Sequence, residues 1–187
     1  MGQLDLLRHA VGALEAAGVP YMLTGSYASS LQGQPRATHD IDLVVELDAS
    51  RVVSLLGAFP DDRYYFSREA IAAAVHDRSM FNVLDTIEGD KIDFWLLTRD
   101  SFDQERFARR TAIPFEGRDL WVSTPEDTIL MKLSWSAQSG GSERQVEDAR
   151  HVYEVSRGTI DEAYLESWAD RLGVLQDLDR IRDTGRR

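Results

Sequence analysis

The stretch Asp40-Ile41-Asp42-Leu43-Val44-Val45 constrains this chain more than any other. Two acids flank one isoleucine and run into an aliphatic segment, the pattern of a strand that begins in water and ends in a core. Strand side chains alternate between faces, so both carboxylates project from one face and Ile41 from the other. Carboxylates held a few ångström apart repel each other and lose hydration; a cation between them keeps both ionised. Oxygen-only ligands suit Mg²⁺ or Mn²⁺, completed by waters and phosphate oxygens.

Upstream, Tyr21–Thr24 reads as a short strand broken by Gly25, and Ser26 is placed to cap a helix over Tyr27–Leu31. Glycine lets a phosphate approach the backbone, and the free N–H groups of a helix start favour an anion. Downstream, Asp93 is a lone acid in the apolar run Lys91-Ile92-Asp93-Phe94-Trp95-Leu96-Leu97, costly to bury without a partner. If that strand lies beside the Asp40–Asp42 strand, Asp93 completes a triad, bridges to a second metal and accepts the proton of an attacking hydroxyl. A phosphate holder and a metal holder on neighbouring strands are what metal-assisted phosphoryl or nucleotidyl transfer requires.

The remaining pattern predicts an α+β fold: an α/β-type mixed sheet flanked by helices over residues 1–122, with a helical C-terminal part, 123–187, packed on it. Leu4, Leu7, Val11 and Leu14 give a helix over 3–17, and a second helix follows at 49–58. Met80–Ile87 and Lys91–Leu97 form an antiparallel hairpin around Glu88-Gly89-Asp90. A polar helix near 102–109 precedes short strands at 112–115 and 120–122. Thr124 caps a helix with Pro125 at its first position and Glu126 and Asp127 in its first turn. Gly140-Gly141 ends it, and helical patterns return over 143–156, 161–172 and 174–183.

With 187 residues, 43% hydrophobic residues, 5 Pro and 13 Gly, the chain can bury a core and is not of disordered composition. The absence of cysteine removes disulfides, thiolate zinc sites and cysteine nucleophiles. A net charge of −11 argues against binding duplex nucleic acid mainly by neutralising phosphates. No stretch approaches the roughly 20 apolar residues of a membrane helix, and residues 1–16 lack the basic start and apolar run of a signal peptide. The expected setting is cytoplasmic, with no membrane partner.

Gly25-Ser26, thirteen intervening residues, Asp40-Ile41-Asp42 and a later strand acid resemble the DNA polymerase β-type nucleotidyltransferase superfamily. Within it, Pro35-Arg36-Ala37-Thr38-His39-Asp40 resembles the abortive-infection and toxin–antitoxin nucleotidyltransferases of bacteria and archaea. So does Val122-Ser123-Thr124-Pro125-Glu126-Asp127-Thr128-Ile129-Leu130-Met131-Lys132-Leu133, followed by Glu147-Asp148. The resemblance implies a nucleotidyltransferase fold, two divalent metals and a nucleoside triphosphate as substrate. It implies that Gly25 and Ser26 hold the triphosphate and that Asp40, Asp42 and Asp93 hold the metals, Asp93 also acting as base. Lys132 would stand near the phosphates or base, and Asp148 matches a family acid at the nucleotide. Arg36 and Thr38 are further candidates for phosphate contact.

The activity so implied moves a nucleoside monophosphate to an acceptor hydroxyl of RNA or protein, toxin-like, with a cognate antitoxin as a partner. Two alternatives stand beside it: a transferase acting on a small antibiotic-type molecule, and an inactive protein that binds nucleotide or a partner. His39 is read as structural, since its side chain should point away from that of Asp40. Arg106, Arg109, Arg110 and Arg118 are the one basic concentration, read as a solvated helix face before a dock for RNA. Trp95, Trp121, Trp135 and Trp168 are read as core.

Overall fold

Alternation along two strands sets the architecture. In β2 (Asp40–Val45), Ile41, Leu43 and Val45 are fully buried while Asp40 is exposed. In β5 (Lys91–Leu96), Ile92, Phe94 and Leu96 are buried in the same rhythm. The two strands pair in parallel, Ile41 opposite Ile92 and Leu43 opposite Phe94, so their apolar residues share one face. Each fully buried side chain of this size contributes about 1.5–3 kcal/mol. A slip of one residue would move every one of them into water, which fixes the register.

The computed structural model describes residues 2–38 and 40–184; His39, read above as structural, lies outside them. The other strands are β1 (Tyr21–Thr24), β3 (Tyr64–Tyr65), β4 (Met80–Asp85), β6 (Thr111–Phe115) and β7 (Arg118–Val122). Among the described residues they form one mixed sheet in the order β3-β4-β5-β2-β1-β7-β6. The pairs β2–β5 and β1–β7 are parallel; β3–β4, β4–β5 and β6–β7 are antiparallel. The hairpin expected at 80–97 is therefore present, its turn closed by a hydrogen bond from the Asp85 amide to the Asp90 carbonyl.

The helices are α1 (Gln3–Ala16), α2 (Gly25–Gln32), α3 (Ala49–Leu56), α4 (Arg68–Asp77), α5 (Ser101–Ala108), α6 (Pro125–Gln138), α7 (Glu143–Ser156), α8 (Glu162–Arg171) and α9 (Leu175–Thr184). The chain divides into two compact units, residues 1–23 with 38–122 and residues 24–37 with 123–187. The short α2 thus groups with the C-terminal helices.

In the first unit the apolar face of the sheet carries an aromatic chain. Phe81 stacks on Phe94, which meets Phe59 edge-on, and Phe59 in turn meets Tyr64 and His9 of α1. The opposite face packs Trp95 against Met22, Val44, Leu97 and Phe107. That cluster lies at the C-terminal end of β2 and β5 and leaves the N-terminal end of this face to the acids.

In the second unit, α6 begins as its sequence dictates. The Thr124 hydroxyl accepts the Asp127 amide, and Pro125 occupies the first turn, where its missing N–H is harmless. Glu126 and Asp127 are 6% and 0% exposed. Glu126 accepts the Asp161 amide, and Asp127 accepts the hydroxyls of Thr124 and Tyr164. These acids tie the start of α6 to α8. Gly140 and Gly141, with φ of 79° and 94°, turn the chain from α6 into α7.

Candidate functional site

The first unit gathers the strand acids. In the β2–β5 register Asp42 stands directly opposite Asp93, and Asp40 opposite Lys91. All four lie on one face, because Ile41 and Ile92 take the other. The Asp93 side chain is 9% exposed and that of Asp40 55%. Lys91 Nζ lies 2.9 Å from Asp93 Oδ2 and 3.6 Å from Asp40 Oδ1. The Asp40 and Asp93 oxygens are therefore no further apart than the sum of those two distances. The hydrogen bond to Asp93 holds the Lys91 ammonium above the ordinary lysine value, against the effect of its partial burial. Asp42 Oδ1 accepts the indole N–H of Trp95 at 3.3 Å.

Asp93 Oδ1 is buried and has no hydrogen-bond partner among the described residues. A buried carboxylate oxygen left so costs about 1–3 kcal/mol or more. As the side chains stand, no three His, Cys, Asp or Glu among the described residues are close enough together to hold a metal ion. The donors nevertheless fit one chemically: hard carboxylate oxygens, one of them orphaned, on adjacent strands. Thr38 donates its side-chain hydroxyl to the Asp40 backbone carbonyl at 3.4 Å, a local contact at the strand entry.

The second unit gathers the cations. Gly25 opens α2 with φ of 66°, in the left-handed region where a β-carbon is strained. Thr24 holds the N-cap position, so Ser26 lies inside the first turn and is not the cap expected from sequence. Its hydroxyl instead accepts Arg36 Nη2 at 2.7 Å and Lys132 Nζ at 3.2 Å. Both cations also converge on Asp148. Arg36 Nε and Nη2 lie 2.9 and 2.7 Å from its two oxygens, and Lys132 Nζ lies 2.8 Å from Oδ2. Two cations share this carboxylate beside the start of a helix, where an anion is favoured. Burial works against the Asp148 charge; the hydrogen bonds from Arg36 and Lys132 outweigh it and hold the carboxyl below the usual range.

The structure thus brings Gly25, Ser26, Arg36, Lys132 and Asp148 together in one unit, and Asp40, Asp42 and Asp93 in the other. Lys132 is 4% exposed, which excludes a solvated surface lysine. Thr38 joins neither polar cluster. Sequence reasoning missed Lys91 and Trp95. The signal for Lys91 was its spacing of two from Asp93, which places both on one face, but its contact with Asp40 depends on the strand register.

Two other expectations are corrected. The arginine concentration is not a solvated face: Arg106 is 5% exposed and paired with Asp103, and Arg110 lies over the rings of Phe107 and Trp121. Arg118 pairs with Glu15. Trp121 and Trp135 are not core but 39% and 44% exposed. The apolar groove of about 570 Å³ between α3 and α4, lined by Val52, Val53, Leu56, Phe59, Ile71 and Val75, contains none of the candidate residues.

No protein-family model matches the sequence, and neither does any curated protein. Solved structures do. The chain is similar to ANT(2″)-Ia in complex with adenylyl-2″-tobramycin, with a TM-score of 0.59 and 14% identity over 91% of this chain and 96% of that one. It is similar to an antigenic nucleotidyltransferase-like protein from Paracoccidioides brasiliensis, with a TM-score of 0.56 and 18% identity over 96% and 91%. It is also similar to the lincosamide antibiotic adenylyltransferase LnuA with lincomycin bound, at 0.57 and 16% over 81% and 96%. The chain therefore shares the fold of these solved nucleotidyltransferase structures. At these identities the likeness carries the fold alone.

Proposed function

We propose that this protein is a metal-dependent nucleotidyltransferase. It moves a nucleoside monophosphate from a nucleoside triphosphate to an acceptor hydroxyl and releases pyrophosphate. The observation that carries the reading is the register match of Asp42 with Asp93 on adjacent parallel strands, with the buried Asp93 Oδ1 left unpartnered among the described residues.

Asp40, Asp42 and Asp93 would hold two divalent ions, Mg²⁺ or Mn²⁺. When bound, such ions neutralise phosphate charge and lower the pKa of the attacking hydroxyl. Asp93 accepts the proton of that hydroxyl as the new bond to the α-phosphorus forms and the bond to the pyrophosphate oxygen breaks. Lys132 and Arg36 are charge-assisted donors for the triphosphate and for the departing pyrophosphate. Ser26 adds a hydroxyl, and Gly25 leaves the backbone open to close approach. Asp148 orients both cations.

The acceptor read from the sequence resemblance is an RNA or a protein, with a cognate antitoxin as partner and a cytoplasmic setting. A small-molecule acceptor is the second reading, favoured by a fold shared with two proteins whose solved complexes hold adenylyl-2″-tobramycin and lincomycin. Incubation with each labelled triphosphate and Mg²⁺ or Mn²⁺, offering total RNA, proteins and aminoglycosides or lincosamides, tests both readings. Label transferred to an acceptor by wild type and abolished by Asp42→Ala is the expected result. Unaltered triphosphate affinity in Asp42→Ala, measured by calorimetry with metal present, would contradict the proposal.

A further inference from the structure

Lys91 stands where a cation is needed. Its ammonium bridges Asp93 Oδ2 and Asp40 Oδ1, on a face that also carries Asp42. Asp40 and Asp93 share this one ammonium and Asp42 adds a third carboxylate to the face, an acid-rich donor set of the kind that suits a divalent ion. The geometry also leaves one donor over, since Asp93 Oδ1 is buried and unpartnered among the described residues while Oδ2 is taken by the lysine. The Lys91 side chain is 34% exposed on a flexible four-carbon stem, so it can leave the acids for water without unpacking the core.

We propose that Lys91 is a resident counter-ion of the acid patch, which a divalent cation displaces from Asp93 on binding. This rests on the metal-binding reading given above and extends it to how the patch is regulated. In the metal-free protein the lysine relieves repulsion among Asp40, Asp42 and Asp93 and keeps them folded in register. Its release is part of the cost of metal binding, so the apparent affinity for metal is lower than the same carboxylates would show alone. A second consequence follows for selectivity. A monovalent ion offers the patch no more charge than the lysine already does, whereas a divalent ion doubles it.

The test is Mn²⁺ binding by titration calorimetry and thermal unfolding on three proteins: wild type, Lys91→Met and Lys91→Arg. Lys91→Met keeps the length and loses the charge. It is expected to bind Mn²⁺ about tenfold or more tightly, about 1.4 kcal/mol, to melt lower without metal, and to gain more in Tm from Mn²⁺ than wild type does. Lys91→Arg holds carboxylates with a rigid fork and is expected to bind Mn²⁺ more weakly than wild type. Far-UV circular dichroism establishes that each variant is folded; should Lys91→Met not fold, Lys91→Arg carries the comparison by its weakened affinity. Equal affinity in all three overturns the displacement proposal and leaves metal binding intact. Weaker binding in Lys91→Met also overturns it and makes Lys91 a positioning residue for Asp93. No Mn²⁺ binding in any of the three overturns the metal reading itself.

Discussion

Lys132 and Asp148, on the adjacent helices α6 and α7, form an ion pair 2.8 Å long with side chains only 5% and 9% exposed. The same carboxylate holds Arg36 through both of its oxygens. Removing the acid takes the carboxylate from the buried Lys132 and from Arg36, whose side chain is 24% exposed; a buried pair broken on one side loses about 3–5 kcal/mol. Asp148→Ala is therefore expected to lower the urea midpoint strongly and to weaken triphosphate binding. Lys132→Met leaves Asp148 paired with Arg36 and should cost less stability while still weakening the triphosphate. Equal midpoints for Asp148→Ala and wild type would show that the pair does not hold these helices.

Asp85 makes stability depend on pH. It is 1% exposed, receives two hydrogen bonds from Arg63 at 2.6 and 3.1 Å, and accepts the amides of Ile87 and Glu88. Burial disfavours its charge, but Arg63 and the two amides prevail and hold its carboxyl below the usual value. A depressed folded-state pKa adds stability that is present above the unfolded value of about 3.9. That stability is lost as pH falls through the folded-state value. Asp85→Asn is expected to be less stable than wild type by about 2 kcal/mol near neutrality, the range of a hydrogen bond to a charged group. The difference should narrow below about pH 4 as the wild-type carboxyl protonates. Urea midpoints at pH 7, 5, 4 and 3 measure it; a difference constant across that range contradicts the assignment.

Gly33 ends α2 against α7. A β-carbon there would lie 3.0 Å from the Val152 amide nitrogen and 3.1 Å from the Ser29 carbonyl oxygen, both backbone atoms that cannot swing aside. Gly33→Ala is expected to destabilise by about 1–3 kcal/mol through overpacking, seen as a Tm lower by about 2–4 °C per kcal/mol. Its triphosphate affinity should fall as well, since Arg36 follows only three residues later. An unchanged Tm would mean the two helices part easily.

Trp95 offers an optical report on the acids, because its indole N–H donates to Asp42 Oδ1. Mn²⁺ or Mg²⁺ binding at Asp42 is expected to shift tryptophan emission in wild type and to leave it nearly unchanged in Trp95→Phe, a variant that keeps all three carboxylates. A shift of equal size in both proteins would assign the signal to Trp121, Trp135 or Trp168 instead.

The sequence by itself determined the elements and the kinds of residue at stake. Alternation in Asp40–Val45 and Lys91–Leu96 placed acids on one face and aliphatics on the other, because strand period is local. Thr124-Pro125-Glu126-Asp127 fixed the start of α6, because capping needs only neighbouring residues. What lay across the sheet or between helices was not legible there. The pairing of Asp42 with Asp93, the ammonium of Lys91 between Asp93 and Asp40, and the hold of Trp95 on Asp42 all depend on which strands adjoin and in what register. Ser26 read as a cap because Ser before a helix usually is one; the helix in fact starts two residues earlier than expected, at Gly25, and frees its hydroxyl for Arg36 and Lys132. The four arginines read as a surface because charge defaults to water; tertiary packing buried Arg106 against Asp103 and laid Arg110 on Phe107 and Trp121. Local period is written in the order of residues, but partners for charge are chosen only when segments far apart in the chain are brought within hydrogen-bond reach.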